Sequence, residues 1–565
     1  MLRAPGTHAA PSPGATLTSG AGTAAVSAPD DSPDPRRRRP AHDEWSTHVT
    51  APVSTTTADD APDPAPRAGT RRRTWGVVTW ALLSSLCLAW ALASPLMSAP
   101  DEPAHATKAA SVVRGQWLGD DVGGANAVDV PPVYWQAQSQ PLCYFFQPEV
   151  PADCAPPLDQ TSDETVYAET TAGRYNPVYY LAVGWVTLVD QGVASLWAMR
   201  VLTALGCAAL LAVGLTSLRE VPRPGWLLAS ATVAVTPMVV YLSGNISPAG
   251  PEIAAAFAAW ATLLATVRDP RPDLLPHRMA RVAVAASLLV NMRGLSPLFL
   301  AAIVLTALVA APWHQVGAVL RDRRSWLPIA VVGVATAAAT AWIVGTNSLG
   351  SGQAVAHPSL TFRGVLTHSL LSTWIYLQNM FGHFGWVDTW LPTWLYVLML
   401  VAVAVLVVLA LWRGGTRDRL VLLALGSFTI VAPAVIHASQ AQYLGIIWQG
   451  RYFLPVAVGM ALYAGWALHD ARRGTGPLTP SRALAAYGSA WVVVQTVAVT
   501  VLLQRFMNGA HGRPIVEGDA AWTPPVAWWV LVLVVAASTT TCVVLAHVAT
   551  RDRAPVPGTA EVAPT

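Results

Sequence analysis

Long apolar blocks alternate along this chain with short polar connections in which arginine recurs. Blocks of about 20 residues match the apolar depth of a bilayer when wound as helices. The pattern predicts helical spans at about 75–97, 196–218, 226–243, 252–267, 281–292, 296–312, 327–346, 393–412, 420–437, 450–468, 483–503 and 526–548. The pair 281–292 and 296–312 is the weakest, because its short first member also reads as re-entrant or as continuous with its neighbour. Two long polar segments interrupt the series, 98–195 and 347–392. Within the first, Val178 to Val189 is too short and too aromatic at its start for a span and reads as a helix lying in the interface. Read as a span instead, it would invert every later loop.

The ends of the chain break the pattern. Residues 1–73 are rich in Pro, Ala, Ser, Thr and Asp, a composition that cannot bury a core and predicts disorder. No apolar signal-peptide core follows the start. Residues 74–550 form the membrane domain, and 551–565 read as a second, short disordered tail. No internal repeat is visible.

Composition agrees: 53% of residues are hydrophobic and 12% charged, with a mean hydropathy of +0.42. A soluble domain carries roughly 25% charge. The chain is therefore an all-α polytopic membrane protein of about twelve helices with a large first loop. Many of the 24 Trp fall near block ends, where interfacial anchors belong. Lys108 is the single lysine, a bias with no evident mechanism.

Arginine sets the expected orientation. Arg71 to Arg73 directly precede the first block and read as a cytoplasmic flank rather than as a nucleic-acid or headgroup binder. On that choice the cytoplasmic loops hold Arg219 and Arg223, the 268–281 group, the 321–324 group, the 413–419 group, Arg472, Arg473, Arg482, Arg551 and Arg553. The other connections hold few: Arg293, Arg363, Arg451, Arg505 and Arg513. Both termini are then cytoplasmic, and 98–195 and 347–392 are extracytoplasmic. Arg505 and Arg513 read as snorkelling side chains. In an outward loop, Cys143 and Cys154 are disulfide candidates, for geometry to decide. Cys87, Cys207 and Cys542 read as core or lipid-facing.

Chemistry-bearing residues gather at the outward ends. Asp101 and Glu102 follow the first span, with His105 one turn on. Helix capping accounts for such a pair, and so does a catalytic or metal-binding role beside the membrane surface. Arg293 and Arg451, each beside a Gly and polar neighbours, suit a phosphate, because the guanidinium fork makes paired charge-assisted hydrogen bonds. Asn245, Glu252, Tyr179, Trp386 and Asp388 complete the candidate substrate-binding set. No P-loop, dinucleotide fingerprint or zincin helix is present, which argues against ATP-driven transport.

Five motifs occur in order: Asp101-Glu102-Pro103-x-His105, Asn176-Pro177-x-Tyr179-Tyr180, Asn245-x-Ser247-Pro248-x-Gly250-Pro251-Glu252, Phe384-Gly385-Trp386-x-Asp388-Thr389 and Gln449-Gly450-Arg451-Tyr452-Phe453-x-Pro455. Together they resemble the bacterial membrane-protein family of domain of unknown function 2142, across about 75–470. That family in turn resembles the C-type glycosyltransferase superfamily, whose members use polyprenyl-phosphate sugars or a related lipid-linked donor. The resemblance implies a C-type glycosyltransferase-like fold in a bacterial plasma membrane, with membrane lipids and a lipid-linked sugar donor as partners and no nucleic acid. It implies Asp101 or Glu102 as general base or metal ligand and Arg451 as a donor-phosphate contact. A divalent cation (Mg or Mn) could assist, though no sequence feature proves one. The chain departs from many such transferases in lacking a large soluble C-terminal domain, so acceptor recognition has no obvious home. A non-catalytic transporter or assembly component for lipid-linked envelope intermediates is the alternative.

Overall fold

The computed structural model describes residues 68–158, 164–349, 355–471 and 479–551. Most of the expected N-terminal tail and nearly all of the C-terminal one lie outside these residues. The first helix starts earlier than the apolar pattern suggests, at Ala68.

Nine helices among the described residues are long and apolar enough to cross a membrane, and counting each of two bent pairs as one span raises this to eleven. Leu275–Val290, of 16 residues, also runs the depth of the bundle beside Ala249–Arg268. With it, the described residues pass twelve times between the two ends of the bundle. Neighbours run antiparallel: the Arg219 guanidinium lies 4.8 Å over the Trp75 ring at the start of Ala68–Leu92, while Arg200 bonds to Ala91 at its far end. The axis of the bundle is Ala249–Arg268, almost wholly buried, with Gly450–Asp470 beside it. Trp260 anchors the two by donating to the Pro455 carbonyl at 2.9 Å. Arg323–Gly345 is peripheral, with 6% of its apolar window inside the protein, so nearly its whole circumference is left for lipid.

Two helix pairs are sharply bent, the first within a block that the sequence reads as continuous. Gly225–Ala234 and Pro237–Ser243 meet at 67°. Pro237 offers no N–H to the ladder, which frees carbonyls in the preceding turn. Trp491 and Gln495 donate to the Val235 carbonyl at 2.7 and 3.1 Å, and the Thr236 hydroxyl donates to Met380. The second break turns Ser296–Ala310 by 118° into the amphipathic helix Trp313–Arg321, which buries Val316 and Val319.

The 98–195 segment is a folded layer with its own small core. It contains the helix Glu102–Val112 and an antiparallel sheet of Asp120–Asp121, Asn126–Val130 and Val166–Thr170, with Val128 opposite Ala168. The apolar piece Pro177–Leu188 is too short to span and packs on Glu102–Val112. Gly184 makes that approach, since a Cβ there would stand 2.3 Å from the Ala109 carbonyl oxygen. Lys108 is buried and donates to the backbone carbonyls of Gly173 and Trp117, which ties the layer together. Burial pushes its pKa down to about 8. Cys143 and Cys154 form a disulfide, and Arg505 donates to the carbonyls of Tyr144, Gln147 and Val150 in the same loop. Arg505 is therefore a fully buried clamp and not a snorkelling side chain.

Candidate functional site

The folded layer stacks against one end of the bundle, and the two border an open cavity of about 680 Å³. Asp101, His105, Tyr175, Glu252, Arg293 and Tyr452 stand in its wall. They come from the loop helix, the turn before Pro177, and the ends of three bundle helices.

Asp101 and Glu102 separate sharply. Glu102 is fully buried and paired with Arg200: Nε to Oε1 and Nη2 to Oε2 are both 2.7 Å. The Ile246 N–H donates to Oε1 at 3.0 Å. The remaining Arg200 donors bind the carbonyls of Ala91, Ser94 and Pro95. Glu102 thus knits the first helix, the loop layer and the 244–248 turn, and lines no part of the cavity. Asp101 is exposed and holds φ 64, in the left-handed region, with no capping bond from its side chain. The capping explanation fails for it. A non-glycine residue held there costs about 1 kcal/mol or more and persists because its surroundings fix it.

His105 is buried, with Nδ1 2.8 Å from the Tyr180 hydroxyl and its ring edge against Tyr175. Burial pulls its pKa down to about 4; Asp101 opposes this, while Arg293 and Arg451 add to it. The imidazole is neutral at ordinary pH.

Arg293 stacks 4.8 Å over Tyr452 and lies 6.0 Å from Tyr175, with Nη1 3.8 Å from Glu252 Oε2. Glu252 is held in turn by the Ser296 hydroxyl at 2.6 Å. Arg451 stands behind the wall and not in it. It is buried, its Nε has no partner, and it pairs with no carboxylate among the described residues. Gly450 positions it: the Gly450 N–H donates to Asn379 Oδ1 at 3.2 Å, and a Cβ there would collide with the Tyr376 carbonyl. Asn379 also binds His383 at 2.8 Å. Burial and the Arg451 charge hold the His383 pKa down at about 3.

Four expected substrate contacts lie elsewhere. Asn245 donates to the Tyr241 carbonyl at 2.9 Å and closes a helix end. The Tyr179 hydroxyl is used by Thr203 at 3.0 Å. Trp386 donates to the Met97 carbonyl at 3.2 Å and packs on Phe145. Asp388 is buried against Arg505 at 3.1 Å. Their polar atoms are occupied by the fold. Sequence reasoning missed Tyr175, Trp342, His437 and Trp448 in the wall. It also missed Arg200, whose position inside an apolar block marks it as paired.

The carboxylates do not fit the expected cation. Both Glu102 oxygens are taken by Arg200, which leaves Asp101 alone as an anionic donor at that corner. Among the described residues, no cluster of three His, Cys, Asp or Glu is placed to hold a metal ion.

A bundle of membrane-crossing helices that borders a polar cavity beneath a folded loop layer defines a polytopic membrane protein. The model of the predicted membrane protein family DUF2142 matches residues 85–460, and the chain belongs to that family. Among solved structures, the chain is similar to ArnT from Cupriavidus metallidurans bound to undecaprenyl phosphate. That similarity has 14% identity over 86% of this chain and 79% of the other, with a TM-score of 0.40. No curated protein sequence matches the chain.

Proposed function

We propose that this protein is a membrane glycosyltransferase. It moves a sugar from a polyprenyl-phosphate-type donor to an envelope glycan or lipid acceptor at the outer face of a bacterial plasma membrane. The observation that carries the reading is the single cavity shared by Asp101, His105 and Arg293, with the cation of Arg451 close behind. Asp101 accepts the proton of an acceptor hydroxyl. The acceptor oxygen bonds to the anomeric carbon, the carbon–oxygen bond to phosphate breaks, and the lipid phosphate leaves with the electron pair. Arg293 offsets its charge, and Arg451 adds to the field. Neutral His105 holds the Tyr180 hydroxyl and shapes the wall beside Asp101. Tyr175 and Tyr452 present rings against which a sugar can lie. No step passes through a metal.

The transporter alternative needs a polar path through the bundle. The polar cavities at its two ends share no wall residue, and Phe257 and Trp260 fill the axis between those ends.

The test is transfer of a labelled lipid-linked sugar by the purified protein. Asp101→Asn should fold normally and lose activity by roughly 10²–10⁴. Glu102→Gln should instead lower thermal stability, because breaking a buried pair costs about 3–5 kcal/mol. An active Asp101→Asn protein would remove the general-base assignment.

A further inference from the structure

A second cavity, of about 550 Å³, opens at the bundle end opposite Asp101. Its charged wall residues are Arg223, Arg268, Arg413 and His469, with Asp269 and Asp470. Both acids are already engaged. Asp470 takes Arg268 at 2.8 Å, and Asp269 takes Arg278 at 3.2 Å. Arg268 also binds Asp418 at 2.9 Å. Arg223 and Arg413 form no ion pair with any described carboxylate, so two guanidinium groups remain uncompensated around one chamber. The chamber is many times the ~30 Å³ share of one water.

We propose that this cavity binds a phosphate group. Guanidinium forks match phosphate oxygens in paired, charge-assisted bonds. Trp226 and Trp466 form apolar walls for whatever the phosphate carries. An anionic lipid headgroup from that membrane surface and a soluble phosphate offer the same chemistry. The inference does not rest on the transferase reading, because no residue of the first cavity takes part.

The experiment uses the full chain in neutral detergent. Inorganic pyrophosphate, short-chain phosphatidylglycerol and short-chain phosphatidylcholine are titrated separately, and the thermal midpoint and equilibrium binding are read. Saturable binding of pyrophosphate indicates a soluble ligand. Saturable binding of phosphatidylglycerol but not phosphatidylcholine indicates a lipid one. In either case Arg223→Gln with Arg413→Gln should weaken binding by roughly tenfold or more. Arg293→Gln, in the first cavity, should leave the Arg223/Arg413-dependent part of this binding unchanged. Absence of saturable binding by both anionic probes overturns the proposal. So does binding that Arg293→Gln abolishes while the Arg223/Arg413 double variant retains it.

Discussion

Adjacent carboxylates at 101 and 102 have opposite environments, and nothing in their own neighbourhood separates them. The partner that decides, Arg200, lies 98 residues further along the chain. The sequence marks both acids as costly at that depth without saying which one is paired. Asn245, Tyr179 and Asp388 follow the same rule, because each sits in a suggestive motif and each is spent on a bond formed only in the folded bundle. His105 gives a pH signature. Its pKa is about 4 in the fold, against about 6.5 when the chain is unfolded. Between these values the unfolded state binds the extra proton, so acidification favours unfolding. The stability linked to neutral His105 is complete above pH 6.5 and falls as the pH drops toward 4. Thermal unfolding from pH 7.5 to 4.5 should therefore flatten in His105→Gln relative to wild type. An identical slope in both proteins would rule out this linkage.

At the scale of elements, span positions were legible because apolar blocks of bilayer length have few other uses. Breaks were less so. Pro237 stood in view within the 226–243 block, but a proline in a membrane helix can be absorbed by neighbours. Whether it bends the span depends on Trp491 and Gln495 arriving to take the freed carbonyl. The Pro177–Leu188 piece was correctly separated from the spans by its length. Its actual role is to pack against Glu102–Val112 through Gly184. Gly184→Ala should force the two helices apart, since backbone at 2.3 Å cannot yield as a side chain could. Overpacking of this kind costs about 1–3 kcal/mol. The loop helix carries Asp101 and His105, so the variant should lose transfer activity together with thermal stability. A Gly184→Ala protein as stable and active as wild type would show that the layer tolerates looser packing than its geometry indicates.

For the whole molecule, twelve passes among the described residues bring the start of the first helix and the end of the last to the same end of the bundle, and the arginine distribution predicts that this end is cytoplasmic. Several of the arginines counted for orientation also hold the bundle together. Arg278 and Arg281 share Glu220 at 3.3 and 2.9 Å, and Arg268 joins Asp418 to Asp470. A paired arginine is a weaker topological signal than a free one, because its position also answers to its partner. The assignment then leans on unpaired residues such as Arg223 and Arg413, near the end of the bundle where Arg268 and Asp470 meet. Cysteine accessibility decides it. A cysteine replacing exposed Asp121, in the folded layer, should react with a membrane-impermeant maleimide in intact cells. A cysteine replacing exposed Arg417, at the opposite end, should react only after permeabilisation. Cys143 and Cys154 are paired and Cys87 and Cys207 are buried, so only the half-buried Cys542 is first replaced by Ser. The reverse labelling pattern would put the Asp101 cavity in the cytoplasm. An outward-facing lipid-linked donor would then have no access to it, however well the cavity suits a phosphate and a sugar.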